Sequence, residues 1–219
     1  MEDSVGARSV PLFTITSLKT HPARPGRVRV EIDGDFAFEL SRKVILAKGV
    51  TEGEGLSPER RRELESIAVR EAAVGLLARR ERSRAELTTA LKRKRFPLDL
   101  IEKVLLDLEK EKLLSDERFA GAWVNTRRRL SPRGRAALTY ELKQKGIRKK
   151  NIDQAIATYS RADELDALRD LIEARLARLT ASGDEHAVIK RRLLGFLARR
   201  GFTYEDIEHI LRENFPNLA

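Results

Sequence analysis

One apolar skeleton recurs three times along this 219-residue chain: Leu, four on Leu, five on Phe or Ile, five on Ile, four on Leu or Ile. The copies are Leu87, Leu91, Phe96, Ile101, Leu105; Leu138, Leu142, Ile147, Ile152, Ile156; and Leu193, Leu197, Phe202, Ile207, Leu211. Steps of four put side chains on one face of a helix, and steps of five carry the pattern across a turn into the next helix. Copies offset by 51 and then 55 residues describe one supersecondary unit stacked in series, an architecture that binds partners along its length. The skeleton itself reads as core. Function has to lie in what the scaffold displays.

The punctuation between these positions gives three helices per unit. Ser57-Pro58 supplies an N-cap and a first-turn proline and opens a helix to about Arg80. Ser83-Arg-Ala-Glu86 is a capping box for a second helix ending near Arg95, where Phe96-Pro97 breaks the chain; a third runs to about Lys112. In the second unit Ser115 caps a helix to Arg129, Ser131-Pro132 opens the next, and Gly146 stops it as a left-handed C-cap, ahead of a short helix over about Lys149–Tyr159. The third unit has helices over Asp163–Leu179 and about Asp184–Arg200, Gly201 as stop, and Thr203 as cap of a last helix. Ahead of the helices, Val28, Val30, Ile32 and then Phe36, Phe38, Leu40 alternate with period two around Asp33-Gly34, a hairpin signal. Thr14–Leu18 is a weaker third strand and His21–Gly26 the loop after it. A lone hairpin is marginal in water, so this sheet is expected to pack on the first helices. The fold class is therefore mainly α: an elongated tandem array of three three-helix repeats (57–114, 115–160, 161–219) behind a small N-terminal antiparallel β segment (12–56) and a disordered tail (1–11).

Charge is dense and uneven. Charged residues make up 36% of the chain, well above the roughly 25% of ordinary domains. Residues 70–150 hold 23 Lys and Arg against 11 Asp and Glu, so this stretch carries more than the +10 of the whole chain. The cations cluster at Arg79, Arg80, Arg82, Arg84; at Lys92, Arg93, Lys94, Arg95; at Arg127, Arg128, Arg129 with Arg133 and Arg135; and at Lys143 and Lys145 beside Gly146. A smaller group, Lys190–Arg192 with Arg199 and Arg200, lies in the third unit. Complementing a helix dipole accounts for one or two residues per helix end, not three or four. The clusters are therefore read as a basic face for phosphates or an acidic groove. Aromatics are scarce, and Phe119 and Trp123, one helical turn apart, read as core; backbone electrostatics rather than base stacking would dominate any nucleic-acid contact. No phosphate loop is present, and His21, His186 and His209 have no partner at ligand spacing. Asp33 and Asp35 are turn residues. There is no cysteine and no apolar run long enough for a membrane span. A non-enzymatic cytoplasmic protein without metal or cofactor is expected, with a single chain sufficient.

Three segments carry a resemblance. Leu77-Ala-Arg-Arg-Glu-Arg-Ser-Arg-Ala-Glu-Leu87, Leu113-Leu-Ser-Asp-Glu-Arg-Phe-Ala120 with Trp123-Val124, and Tyr140-Glu-Leu-Lys-Gln-Lys-Gly-Ile147 resemble the signatures of the RecX family, regulators of the RecA recombinase, in the family's order. The likeness is strongest over residues 70–157; the third unit matches in layout more than in letters. Ser115-Asp116 stands where the family usually has two aspartates, and Trp123 where it has tyrosine. The resemblance implies an all-helical tandem repeat protein that lies in the groove of RecA–DNA filaments and restrains ATP hydrolysis, strand exchange and repressor cleavage. Some members also bind DNA. The basic residues named above in the first two units would make the contact. A basic architectural protein that binds DNA without RecA is the alternative.

Overall fold

A computed structural model of the chain describes residues 13–180 and 185–216. The tail expected over 1–11 and the helix start expected at Asp184 lie outside the described residues. The fold divides into two compact units: one of the residues up to Arg80 with Leu87–Leu113, the other of Glu81–Glu86 with the chain from Leu114 onward.

The first unit opens with β1 (Phe13–His21), β2 (Arg24–Ile32) and β3 (Asp35–Ser41), then α1 (Arg42–Ala47), β4 (Gly55–Leu56), α2 (Pro58–Leu77), most of α3 (Arg84–Arg93) and α4 (Leu98–Lys110). The sheet is antiparallel in the order β3-β2-β1-β4. Asp33 and Gly34 turn β2 into β3 with φ of 53° and 90°. Two left-handed residues form the tight hairpin whose twist matches its strands. Ile15, Val30, Phe38, Leu40 and Leu56 pack with Leu64 and Ala68 of α2, so the sheet does rest on the first long helix. Arg27 fixes that seating: its Nη1 donates to Glu71 Oε2 at 2.7 Å and its Nη2 to Glu39 O at 2.9 Å. The same Glu71 oxygen accepts from Ser41 N–H at 2.8 Å.

Three local expectations change. The loop expected over His21–Gly26 shrinks to a turn at Pro22-Ala23, and β2 runs through Pro25. The register slips between Thr20 and His21, and an irregularity of this kind tolerates a residue without an N–H. Helices begin before Ser57, with α1, whose Ser41 cap accepts from Val44 N–H. A fourth strand, β4, pairs Leu56 with Phe13. Six-residue and two-residue elements are too short to show periodicity.

The second unit holds the opening turn of α3 with α5 (Asp116–Leu130), α6 (Arg135–Gln144), α7 (Lys149–Ala157), α8 (Arg161–Thr180), α9 (His186–Ala198) and α10 (Tyr204–Asn214). All skeleton residues of the chain are buried except Phe96, which is half-buried against the sheet core. The five-residue steps are one turn made three times. Phe96, Ile147 and Phe202 donate their N–H groups to Leu91, Leu142 and Leu197 carbonyls at 3.4, 3.1 and 3.3 Å. The residue before each is left-handed: Arg95 (φ 64°), Gly146 (74°) and Gly201 (82°). This hydrogen bond from beyond the helix end, with a left-handed residue before it, is the Schellman arrangement.

Ser131-Pro132 does not open α6. Gly134 is the N-cap, and its N–H donates to Arg200 O at 2.9 Å. The same placement occurs 51 residues earlier, where Ser83 accepts from Glu86 N–H and donates to Lys145 O at 2.8 Å. In both places an acid from a following helix caps the helix start: Arg84 N–H donates to Asp116 and Arg135 N–H to Glu164, each at 2.8 Å. A Cβ on Gly146 would stand 2.6 Å from Ala85 Cβ, and one on Gly201 2.4 Å from Ala137 Cβ. The second unit is thus held by one joint used twice.

Candidate functional site

The basic residues divide by what they touch. In the first unit Arg79 and Arg80 are exposed after α2, and Lys92, Arg93, Lys94 and Arg95 are exposed at the end of α3. Helix residues Lys92 and Arg93 lie in the last turn, where cations complement the dipole, while Lys94 and Arg95 form the turn beyond it. Lys94 also lines a cleft of about 280 Å³ with Arg27, Arg29, Phe36, Phe38 and Phe96. Arg29 stacks there on Phe36, 4.8 Å from its centroid.

In the second unit several cations are committed internally. Glu141 on α6 is the hub: one oxygen accepts from Trp123 Nε1 and from Arg127 Nε, both at 2.8 Å, and the other faces Arg133 Nε at 3.6 Å. Arg127 and Lys145 also stand 4.6 and 4.9 Å from the Trp123 ring centroid, in cation–π range. Lys145 donates to Glu86 at 2.6 Å. Trp123 stacks on Phe119 with centroids 5.9 Å apart; Phe119 is core and Trp123 half-buried. Arg128 pairs with Asp163 at 2.9 Å and stands over Tyr159. Arg128 and Arg129 share a groove with Asp163, Asp166 and Asp170, so that stretch of the basic face carries its own counter-charge. Arg82, Arg84, Arg133 and Arg135 are half-buried; Arg129 and Lys143 are exposed. Among the named candidates, Arg79, Lys92, Arg93, Lys94, Arg95, Arg129, Arg135 and Lys143 make no side-chain ion pair among the described residues. The structure therefore brings Arg127, Arg133 and Lys145 together around Trp123 and Glu141, and leaves the α3 cluster facing solvent.

Spacing could not reveal the Glu141 hub, because its partners lie on another helix 14 and 18 residues away. Arg175 stands alone in the sequence and belongs to no charge cluster, yet it stacks on Phe196 at 4.9 Å beside Arg200 at 4.6 Å. Arg200 is held below the usual guanidinium range by burial, to which the charges of Arg133 and Arg175 add.

The acids of the second joint are set by the same logic. Glu164 and Asp206 are almost fully buried, and Arg161 binds both. Burial would push Asp206 up, but hydrogen bonds from Arg161 and Thr203 and the Arg161 charge outweigh it and hold the carboxyl below its usual value. Among the described residues no group of three or more His, Cys, Asp or Glu could hold a metal ion, and no helix is long and apolar enough to cross a membrane.

A tandem array of three-helix repeats displaying clustered cations defines a protein of the helical-repeat class. Its three repeats match, in order, the first, second and third three-helix domains of RecX, over residues 70–108, 115–156 and 162–211. The regulatory protein RecX of Amycolatopsis mediterranei is 38% identical over 148 residues, covering 66% of this chain and 83% of that protein. The one from Clostridium acetobutylicum is 24% identical over 208 residues, covering 92% and 96%. A crystal structure of regulatory protein RecX superposes with a TM-score of 0.60 at 20% identity, over 92% of this chain and all of that one, and establishes the likeness of fold. RecX from Lactobacillus salivarius gives the same score at 23% identity over 69% and 97%. This chain belongs to the RecX family of regulatory proteins.

Proposed function

We propose that this protein regulates RecA by docking in the groove of the RecA–DNA filament and bridging neighbouring protomers, restraining ATP hydrolysis, strand exchange and coprotease activity in the cytoplasm. Membership of the RecX family carries the reading. The display of charge supports it: Lys92, Arg93, Lys94 and Arg95 face solvent on one turn, as a contact to a polyanionic filament requires. In the second unit, Arg129 and Lys143 are the exposed cations available to such a partner. Arg127, Arg128, Arg133 and Lys145 hold the scaffold that presents them.

The test measures ATP hydrolysis by RecA on long single-stranded DNA with substoichiometric protein. Inhibition far below the amount needed to coat the DNA supports filament regulation. Inhibition only at coating amounts supports a DNA-binding protein that acts without RecA. Changing Lys92, Arg93 and Lys94 together to Ala is expected to weaken inhibition at least tenfold at physiological salt while leaving helical content unchanged. Undiminished inhibition refutes the assignment of this turn.

A further inference from the structure

Three arginines converge where the second and third repeats meet. Arg133 precedes α6, Arg175 lies on α8 and Arg200 follows α9. The guanidinium carbons of Arg175 and Arg200 both lie within 5 Å of the Phe196 centroid. Two main-chain carbonyls take one N–H each: Arg200 Nη1 donates to Pro132 O at 3.2 Å and Arg133 Nη1 to Arg199 O at 3.4 Å. The Nε atoms of Arg133 and Arg175 are buried and have no hydrogen-bond partner among the described residues. The acid nearest Arg133, Glu141, is 3.6 Å away and already receives Trp123 and Arg127.

Such an arrangement is costly by itself. A guanidinium does not shed its proton in compensation, like charges held together repel, and a buried donor without an acceptor costs about 1–3 kcal/mol. An anion at the outer N–H groups of these side chains offsets the like-charge repulsion, and the planar donor fork of arginine suits phosphate oxygens. The lowered proton affinity of Arg200, caused by burial and by Arg133 and Arg175, reports the same crowding of positive charge.

We infer that Arg133, Arg175 and Arg200 form a binding site for one phosphate group of a nucleic-acid backbone, at the joint between the second and third repeats. The backbone is favoured over an isolated anion because exposed Arg199 adjoins the site, so successive phosphates meet successive cations, and the chain as a whole is strongly basic. The site does not rest on the RecA reading, since its test contains no recombinase.

Binding of a fluorescein-labelled (dT)20 to the full chain is measured across a salt series. Arg175→Gln is expected to lower affinity five- to tenfold at about 0.15 M salt. It should also make the slope of log K against log salt shallower by about 0.7, the value of one single-strand phosphate contact. An unchanged affinity and slope overturn the site. A second measurement uses the unaltered protein, so that a folding defect in the variant does not decide the matter. The arginine Nε–H resonances are followed while (dT)20, or inorganic phosphate at matched ionic strength, is added. Saturable movement of the Arg175 and Arg133 signals with (dT)20 supports the site. Signals that stay still overturn it, and movement with inorganic phosphate but not with (dT)20 overturns the backbone assignment.

Discussion

Gly201→Ala tests whether the repeat turn demands glycine for its backbone, for its neighbour, or for both. At φ 82° an L side chain costs roughly 1–2 kcal/mol. The new Cβ would also stand 2.4 Å from Ala137 Cβ and 2.6 Å from Ala137 N. Overpacking of that kind costs about 1–3 kcal/mol, and the stiffer unfolded chain returns about 0.4–1 kcal/mol. The net expectation is a loss of about 2–4 kcal/mol. Arg95 occupies the equivalent position with φ 64° and already carries a side chain. Arg95→Gly should therefore be neutral or stabilise by up to about 1 kcal/mol, as relief of the left-handed strain outweighs the entropy of glycine. Urea unfolding followed by ellipticity and by the emission of the single tryptophan, Trp123, reports both, with the fluorescence specific to the second unit. If Gly201→Ala costs less than about 1 kcal/mol, or Arg95→Gly does equal damage, close packing is not what fixes glycine in these turns.

Glu141→Gln removes the charge that holds Trp123, Arg127 and Arg133 together; a loss of about 1–3 kcal/mol is expected, with a shift in Trp123 emission as the direct readout. Burial pushes the Tyr159 hydroxyl up to about 12, with the Glu164 charge adding to it, and that hydroxyl has no hydrogen-bond partner among the described residues. Because the folded value lies above the unfolded value near 10, this group leaves stability unchanged below pH 10 and lowers it by about 1.4 kcal/mol per pH unit between there and about 12. Tyr159→Phe should remove that decline and be neutral to slightly stabilising at pH 7, checked by urea midpoints of both proteins across the range. Arg161→Gln strands the buried Asp206 carboxylate and leaves Glu164 with the Arg135 N–H alone, at a cost of about 3–5 kcal/mol at pH 7. The Asp206 carboxyl is depressed in the fold, so its contribution is present above the unfolded value near 4 and lost as pH falls below it; thermal melts between pH 2 and 7 should show the two proteins converging in acid.

Much of the scaffold was legible because it rests on local rules. The skeleton leucines and isoleucines, the caps at Ser57, Ser115 and Thr203, and the Asp33-Gly34 turn all stand where periodicity and capping put them. Short elements such as α1 and β4 were not legible. Nor was the start of α6, because Gly134 is fixed by Arg200 O, 66 residues on. Arg95 hid the likeness of the three turns, since a non-glycine left-handed residue gives no sequence signal. The basic clusters were visible as charge, but their division was not. Arg127 and Arg128 look like Arg129 in sequence; only the folded chain gives the first a tryptophan and a glutamate, and the second an aspartate and a tyrosine.

The joint used twice in the second unit has a consequence for how such a protein can change. Its seating depends on the Lys145 and Arg200 carbonyls, on the Ser83 hydroxyl and helix-end N–H groups, and on the closeness of Gly146 to Ala85 and of Gly201 to Ala137. Carbonyl and amide groups are common to nearly every residue, so this coupling is keyed to the shape of the backbone rather than to most of the letters around it. A repeat that preserves two small residues and one acid can exchange its outward side chains without losing its seat. Divergence is then channelled to the solvent faces, where a third repeat can drift far from the first two and still lock into register.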